Sequence, residues 1–272
     1  MFVDSHVHLD HAAFHADRAQ VLDRACAAGI EAFVVPAVDA ASWPQIRQLS
    51  AHSDRIVPAY GLHPLFVGHH APTDVDALSS WLDAGDAVAV GEIGLDFHAD
   101  TTDCVAQRRY FIAQLQLARD RSLPVIVHAR HALEEVILTL RNFGGLRGVV
   151  HSFSGSQQQA ERLWQMGFHL GIGGTVTYPR AQRLRRIVAN MPGEFLLLES
   201  DAPDQPDVDH RGQRNEPARV AGIAQCVATL RTEAVAALAA TTSANARRLF
   251  GLGQAAPGNV SSSNQAGQAK PF

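Results

Sequence analysis

Several short apolar runs in this 272-residue chain end on residues that can hold a cation. "VDSHVHLD" (3–10) carries His6 and His8 two apart, with Asp4 and Asp10 on either side. "GEIGLD" carries Glu92 and Asp96, "VHAR" His128 and Arg130, "VHSFSG" His151, and "ESDAP" Glu199 and Asp201. In an extended chain residues i and i+2 share a face, so His6 and His8 point one way, as do Glu199 and Asp201. Imidazoles and carboxylates gathered at one place need a counter-charge, and divalent cations are the natural one. His6, His8, Glu92, His128, His151 and Asp201 are too many ligands for one tetrahedral catalytic zinc with an open position. They suit two metals ~3.5–4 Å apart with a bridging carboxylate. Imidazole-rich sites favour Zn, Mn, Fe, Co or Ni on ligand softness, with Mg kept among the candidates.

Positioning these groups at one place requires a scaffold that delivers strand ends to a common mouth. Apolar stretches recur at 2–9, 31–38, 56–64, 87–96, 123–130, 148–153, 168–174 and 195–203. Their near-continuous apolar character reads as parallel strands buried on both faces. Helical periodicity fills 17–28, 104–121, 131–143, 156–166 and 180–190, and 217–250 reads as continuing helix. Eight strands alternating with helices predict an α/β fold, a (β/α)8 TIM-type barrel with its active site at the C-terminal ends of the strands. An open doubly wound sheet would need a Gly-rich phosphate loop after the first strand, and "SHVHLDHAAF" has none. Residues 1–252 read as one barrel, and the polar, aperiodic 253–272 as a disordered tail.

The composition, 46% apolar and 18% charged, is that of an ordinary globular protein. No apolar run approaches the ~18 residues of a membrane span, and no basic-then-apolar leader opens the chain. A cytoplasmic location without membrane association is the expectation. A formal net charge of −4 argues against broad electrostatic capture of nucleic acid and leaves a local phosphate site open. Cys26, Cys104 and Cys226 match no zinc or redox spacing and are expected as buried or half-buried thiols. Lys270 is the one lysine, so no mechanism can use a lysine in the core. His11, His15, His52, His69, His70, His98, His131, His169 and His210 are expected in solvent or loops. His63, in "GLHP", lies on the mouth side, within reach of a substrate phosphate. Asp4 shares the parity of His6 and His8 and is expected to orient an imidazole. Asp96 and Glu199 are expected beside the ligands in the same capacity.

At these residues the chain resembles the TatD family of metal-dependent deoxyribonucleases, a branch of the amidohydrolase-like barrels. The resemblance runs from residue 2 to about 252. It rests on "DSHVHLD", "GLHP", "GEIGLDF", the glutamine-bearing 107–118, "LPVIVHAR", "VVHSFSGS", "GIGGTVTYP", "LLLESDAP" and "RGQRNEP". It implies that His6, His8 and Asp201 hold one metal, that Glu92 bridges, and that His128 and His151 hold the other. It also implies that Asp201 accepts the proton of the attacking water, and that His63, Arg130, Asn215 and Glu216 line the phosphate and nucleotide site. Three positions depart from the family pattern: Leu65 where a histidine often stands, Phe97-His98 where an aromatic pair often follows, and Ser200 where threonine is commoner.

The activity so implied is divalent-metal-dependent phosphodiester hydrolysis, as a 3′–5′ exonuclease on single-stranded or frayed DNA, by a monomer. One alternative keeps the metals and changes the ester, as in a D-aminoacyl-tRNA deacylase. Another is an amidohydrolase-type deaminase, which would leave Glu92 without a role. A non-catalytic, metal-stabilised interaction module is a third. Bridging by a carbamylated lysine, common among related dinuclear hydrolases, is excluded, since Glu92 stands on strand four and Lys270 lies in the tail.

Overall fold

The computed structural model describes residues 1–98 and 103–253. Among the described residues there are eight parallel strands: β1 (Phe2–Asp4), β2 (Ile30–Pro36), β3 (Ile56–Ala59), β4 (Val90–Asp96), β5 (Val125–Arg130), β6 (Gly148–Val150), β7 (Phe168–Ile172) and β8 (Leu196–Leu198). Between and after them lie α1 (Arg18–Ala27), α2 (Trp43–His52), α3 (Asp74–Asp83), α4 (Cys104–Asp120), α5 (Leu133–Phe143), α6 (Gln157–Gln165), α7 (Gln182–Asn190), α8 (Val220–Arg231) and α9 (Val235–Phe250).

The strands form two ladders, β1-β2-β3 and β4-β5-β6-β7-β8. Backbone hydrogen bonds join them at both seams. Val88 N–H donates to Pro58 C=O (3.0 Å) and Gly91 N–H to Tyr60 C=O (2.9 Å) between β3 and β4. Ser5 N–H donates to Leu198 C=O (3.0 Å) between β1 and β8. The result is the expected (β/α)8 barrel.

Strand alternation separates two cores. Phe33, Val35, Ile93, Leu95, Val125, Val127, Leu170 and Leu198 face outward under the helices. Val3, Val34, Ala59, Ile126, Val149 and Leu197 fill the barrel, together with Ala246, Leu249 and Phe250 of α9. Asn245 donates to Leu196 C=O (2.9 Å), where β8 begins, and Ser243 donates to Met1 C=O (3.1 Å). Helix α9 therefore plugs the end of the barrel from which the strands start. On β5, β6 and β8 the inward position turns polar two residues further along, about 6.6 Å. Ile126 is followed by His128, Val149 by His151 and Leu197 by Glu199.

Some expectations change. The helical stretch 217–250 breaks after α8, where Thr232 takes a left-handed conformation (φ +55°). The corner is held by Arg231, which donates to Val188 C=O (2.8 Å) and Met191 C=O (2.9 Å) and pairs with Glu233. Cys26 is exposed, whereas Cys104 and Cys226 are half-buried. The stretch expected as a tail lies, from residue 254 on, outside the described residues. Among the described residues no single helix is long and apolar enough to cross a membrane.

Candidate metal centre

The ladder of β1 stops at Asp4, and beyond it the chain alternates again in a shifted phase. Val7 and Leu9 are buried in the outer core, which turns His6 and His8 the other way. Val7 N–H donates to Val34 C=O (3.1 Å), His8 N–H to Ala202 C=O (2.9 Å) and Asp201 N–H to His6 C=O (2.9 Å). These bonds fasten the His6–His8 segment to β2 and to the chain leaving β8. Asp201 sits at φ +56°, a left-handed conformation that aspartate tolerates better than most residues.

Glu92, 1% exposed, occupies the middle of the mouth. Its Oε2 lies 3.1 Å from His6 Nε2 and 3.5 Å from His8 Nε2. Asp201 Oδ1 is 3.5 Å and 3.8 Å from the same two nitrogens, which are 3.3 Å apart. Ligands about 2.1 Å from a cation at tetrahedral corners would be about 3.4 Å apart, so this donor set fits a divalent ion. The other oxygen, Oε1, lies 2.9 Å from His63 Nε2, 3.1 Å from His128 Nδ1 and 2.8 Å from His151 Nε2. His128 Nδ1 and His151 Nε2 are 3.2 Å apart. One carboxylate thus presents each oxygen to a different set of imidazoles, and His6–His8–Glu92 and His63–Glu92–His128 are groups able to hold an ion.

Hydrogen-bond partners decide which nitrogen carries a proton. His128 Nε2–H donates to Asp96 Oδ2 (2.8 Å), leaving the Nδ1 lone pair turned to the centre. Asp96 is held in turn: its N–H donates to Gln107 Oε1 (2.8 Å), and its Oδ1 accepts from His98 N–H (2.9 Å). His63 is arranged oppositely. Leu65 N–H donates to its Nδ1 (3.1 Å), so Nε2 carries the hydrogen and donates to Glu92.

Burial and neighbours pull the titratable groups in opposite directions. Burial alone would raise Glu92, but His63, His151 and His6 hold it well below the usual carboxylate range. Burial drives His6 well down and His63 to about 4. For His151 the burial cost is outweighed by Glu92 and Glu199, and for His128 by Asp96 and Glu92, so both rise. Burial lifts Asp201 to about 6 against the pull of His151 and His8. The His63 proton that now satisfies Glu92 is one a cation bound between them would displace.

The mouth is a cleft of about 760 Å³ whose walls include His8, His63, Arg130, His151, Asp201 and Gln205. Arg130 is exposed at its rim. His63 is 5% exposed and sits against Glu92, deeper than a residue that only meets substrate. Asn215 and Glu216 do not line the cleft. Asn215 is fully buried, donating from Nδ2 to Ser200 C=O (2.7 Å) and Asp204 C=O (2.8 Å) and accepting Glu216 N–H at Oδ1 (2.9 Å). Its hydrogen-bonding capacity is spent on the loop that carries Asp201. Glu216 is held by Arg24 (2.8 Å) and Arg214 (2.9 Å), which tie that loop to α1. Asp4 orients no imidazole. Its carboxylate, pushed up to about 8 by burial, accepts from Ser200 Oγ (2.6 Å), Ser200 N–H (2.9 Å) and His6 N–H (3.3 Å). His169 is neither in solvent nor in a loop: it is buried on β7, bonded to Gly148 C=O (3.3 Å).

Gln205 escaped the sequence reading, and Gln107 and Gln114 entered it only as part of the 107–118 pattern, without a role. Gln205 donates to Asp201 Oδ2 (2.5 Å). Gln107 bridges Asp96 and Pro64 C=O (3.0 Å), and Gln114 clasps Leu62 at both N–H (2.7 Å) and C=O (3.1 Å). The last two lie two turns apart on the buried face of α4, and a polar residue repeated on an apolar helix face was the available signal.

Comparison with known proteins places this geometry. The model of a family described as TatD-related DNase matches residues 3–251. The chain is 38% identical over 252 residues, 92% of its length and 97% of the other's, to YjjV of Escherichia coli K12, named an uncharacterized metal-dependent hydrolase. It is 33% identical over 256 residues, covering 92% and 98%, to a protein of Escherichia fergusonii named 3′-5′ ssDNA/RNA exonuclease TatD. The crystal structure of E. coli YjjV superposes with a TM-score of 0.90 at 37% identity, covering 93% of this chain and 98% of that one.

Proposed function

The chain belongs to the family of TatD-related DNases and is a metal-dependent hydrolase, and from that premise we propose that it removes nucleotides from the 3′ end of single-stranded or frayed DNA, using two divalent cations bridged by Glu92. The observation that carries this reading is the division of Glu92, with Oε2 toward His6 and His8 and Oε1 toward His128 and His151. A single-cation centre would have no use for a carboxylate turned both ways. The name of the E. fergusonii relative supports the choice of nucleic acid and polarity.

His6, His8 and Asp201 would hold one cation, and His128 and His151 the other. Bound there, the pair would polarise the phosphoryl group and offset the charge that develops on it. Asp201 faces the cleft with Oδ2 fixed by Gln205, so Oδ1 is the atom placed to take a proton from an attacking water. Arg130 at the rim supplies a fixed positive charge to a phosphate oxygen. His63 keeps a hydrogen on Nε2, available to Glu92 or to a phosphate oxygen. Exposed Leu65 and half-buried Phe66 give the cleft an apolar lip on which a terminal base can rest. A cleft of this size accepts the end of one strand and not a duplex.

The test is a 5′-labelled single-stranded oligonucleotide incubated with the protein and Mg²⁺, Mn²⁺ or Zn²⁺. A ladder shortening from the 3′ end is expected, abolished by EDTA and by Glu92→Ala or Asp201→Asn. Cleavage that survives both substitutions would overturn the assignment.

A further inference from the structure

Glu199 is fully buried and faces two ligand histidines at once. The rings of His6 and His151 stack, with centroids 3.9 Å apart and planes 10° from parallel. Each sends Nε2 to Glu92, at 3.1 Å and 2.8 Å. Their Nδ1 atoms are buried and have no hydrogen-bond partner among the described residues, and the same holds for Glu199 Oε2. One nitrogen of His6, one of His151 and one oxygen of Glu199 lie within 4.8 Å of one another. His151 Nδ1 is 3.7 Å from Glu199 Oε1. Because His6 Nε2 is engaged by Glu92 and Asp201, Nδ1 is the nitrogen left for Glu199.

The carboxylate is seated by its surroundings. Ser152 N–H donates to Oε1 (2.6 Å). On the other side β7 makes room, since a Cβ on Gly171 would fall 2.0 Å from Oε2 and 2.7 Å from Cδ. The glycine in "GIGG" is thus where the Glu199 side chain lies.

We propose that Glu199 is a positioning residue shared by the two cation sites, its carboxylate keeping the hydrogens of His6 and His151 on Nδ1 so that both Nε2 lone pairs face Glu92. The inference rests on the two-cation reading above. A neutral imidazole has one N–H, and the partner of one nitrogen decides what the other can do. Lacking Glu199, His6 and His151 would be free to carry hydrogen on Nε2 and donate to Glu92, as His63 does, and a cation would have to displace it. Loss of such an orienting partner typically weakens metal binding about 10–100-fold. Since one carboxylate serves a ligand from each set, the loss falls on both sites together.

The experiment compares wild type, Glu199→Gln and Gly171→Ala, stripped of metal and titrated with Zn²⁺ alone against a chromophoric chelator. Long-range ¹H–¹⁵N spectra of the stripped proteins, taken at a pH high enough that both rings are neutral, read the histidine tautomers. Glutamine keeps the volume and the Ser152 contact but puts an N–H₂ donor in place of the carboxylate's second acceptor oxygen. Gly171→Ala keeps the charge and displaces the carboxylate. Both variants are expected to lose at least about 10-fold in each of two Zn²⁺ constants, and the wild type to show Nδ1–H on His6 and His151. Asp96→Ala, which removes the partner of His128 alone among the ligand histidines, should weaken one constant. Wild-type Nε2–H on either ring overturns the proposal, and this reading needs neither variant to fold. Two wild-type equivalents with Glu199→Gln unchanged, or weakened at one site only, overturn it too. A wild type that takes up a single equivalent overturns the two-cation reading instead.

Discussion

His128 and Asp96 meet across neighbouring strands, with the imidazole Nε2 2.8 Å from the carboxylate Oδ2, and this contact decides which nitrogen of His128 looks at Glu92. Asp96→Ala removes the acceptor and frees the ring to flip or to change tautomer. The expected outcome is an affinity for Zn²⁺ or Mn²⁺ lower by about 10–100-fold, read by competition titration. Unchanged affinity would show that packing alone orients His128.

Asn215 predicts a different signature. Asn215→Ala leaves Ser200 C=O and Asp204 C=O buried without their donor, at a cost of about 1–3 kcal/mol for a buried unsatisfied group. Urea denaturation should show that loss, and kcat should fall because the loop carrying Asp201 loosens. A rise in KM at full stability would restore Asn215 to the substrate site.

His169 predicts how acid acts on the fold. Burial lowers its pKa below the ordinary value, with Arg248 acting in the same direction and the Gly148 carbonyl opposing. Between the lowered folded value and about 6.5 the unfolded chain binds the extra proton, so stability falls as pH drops through that window and levels off below it. Above about pH 7 the group has no effect on the slope. His169→Leu should therefore lose less stability than wild type between pH 7 and pH 5, measured by urea midpoints at each pH. Equal pH dependence in the two proteins would refute the assignment.

Chelation should destabilise the protein as well as silence it. A ligand at about 100 times its Kd adds about 2.7 kcal/mol, so Mn²⁺ or Zn²⁺ returned to the stripped protein should raise Tm by several degrees. Glu92→Ala, which lacks the group facing both sets of imidazoles, should show little of that rise in the same thermal scans.

The barrel was legible because its signal is repeated. β5, β6 and β8 each show an apolar inward residue followed two positions later by a polar one, as in Ile126 and His128 or Leu197 and Glu199. Beyond β1 the phase shifts, since Val3 faces the barrel interior while Val7 and Leu9, of the same parity, turn into the outer core. What could not be read is direction at positions without alternation. Asn215 and Glu216 sit in a loop, where a motif gives proximity to the site but not the face a side chain presents. Their partners, the Ser200 carbonyl and Arg24, come from distant parts of the chain. His63 was legible as a mouth residue, but its depth beside Glu92 depends on how the segment after β3 lies. Asp4 shows the limit of parity: burial with Ser200 took its carboxylate away from any imidazole.

Helix α9 gives the barrel a floor, with Leu249 and Phe250 packed on Val3, Val34 and Leu197. Among the described residues the barrel interior beneath the cleft is therefore closed on the side where the strands start. On the exonuclease reading proposed above, a released nucleotide would leave by the side from which the strand enters, which would favour letting go between cuts over running along the chain.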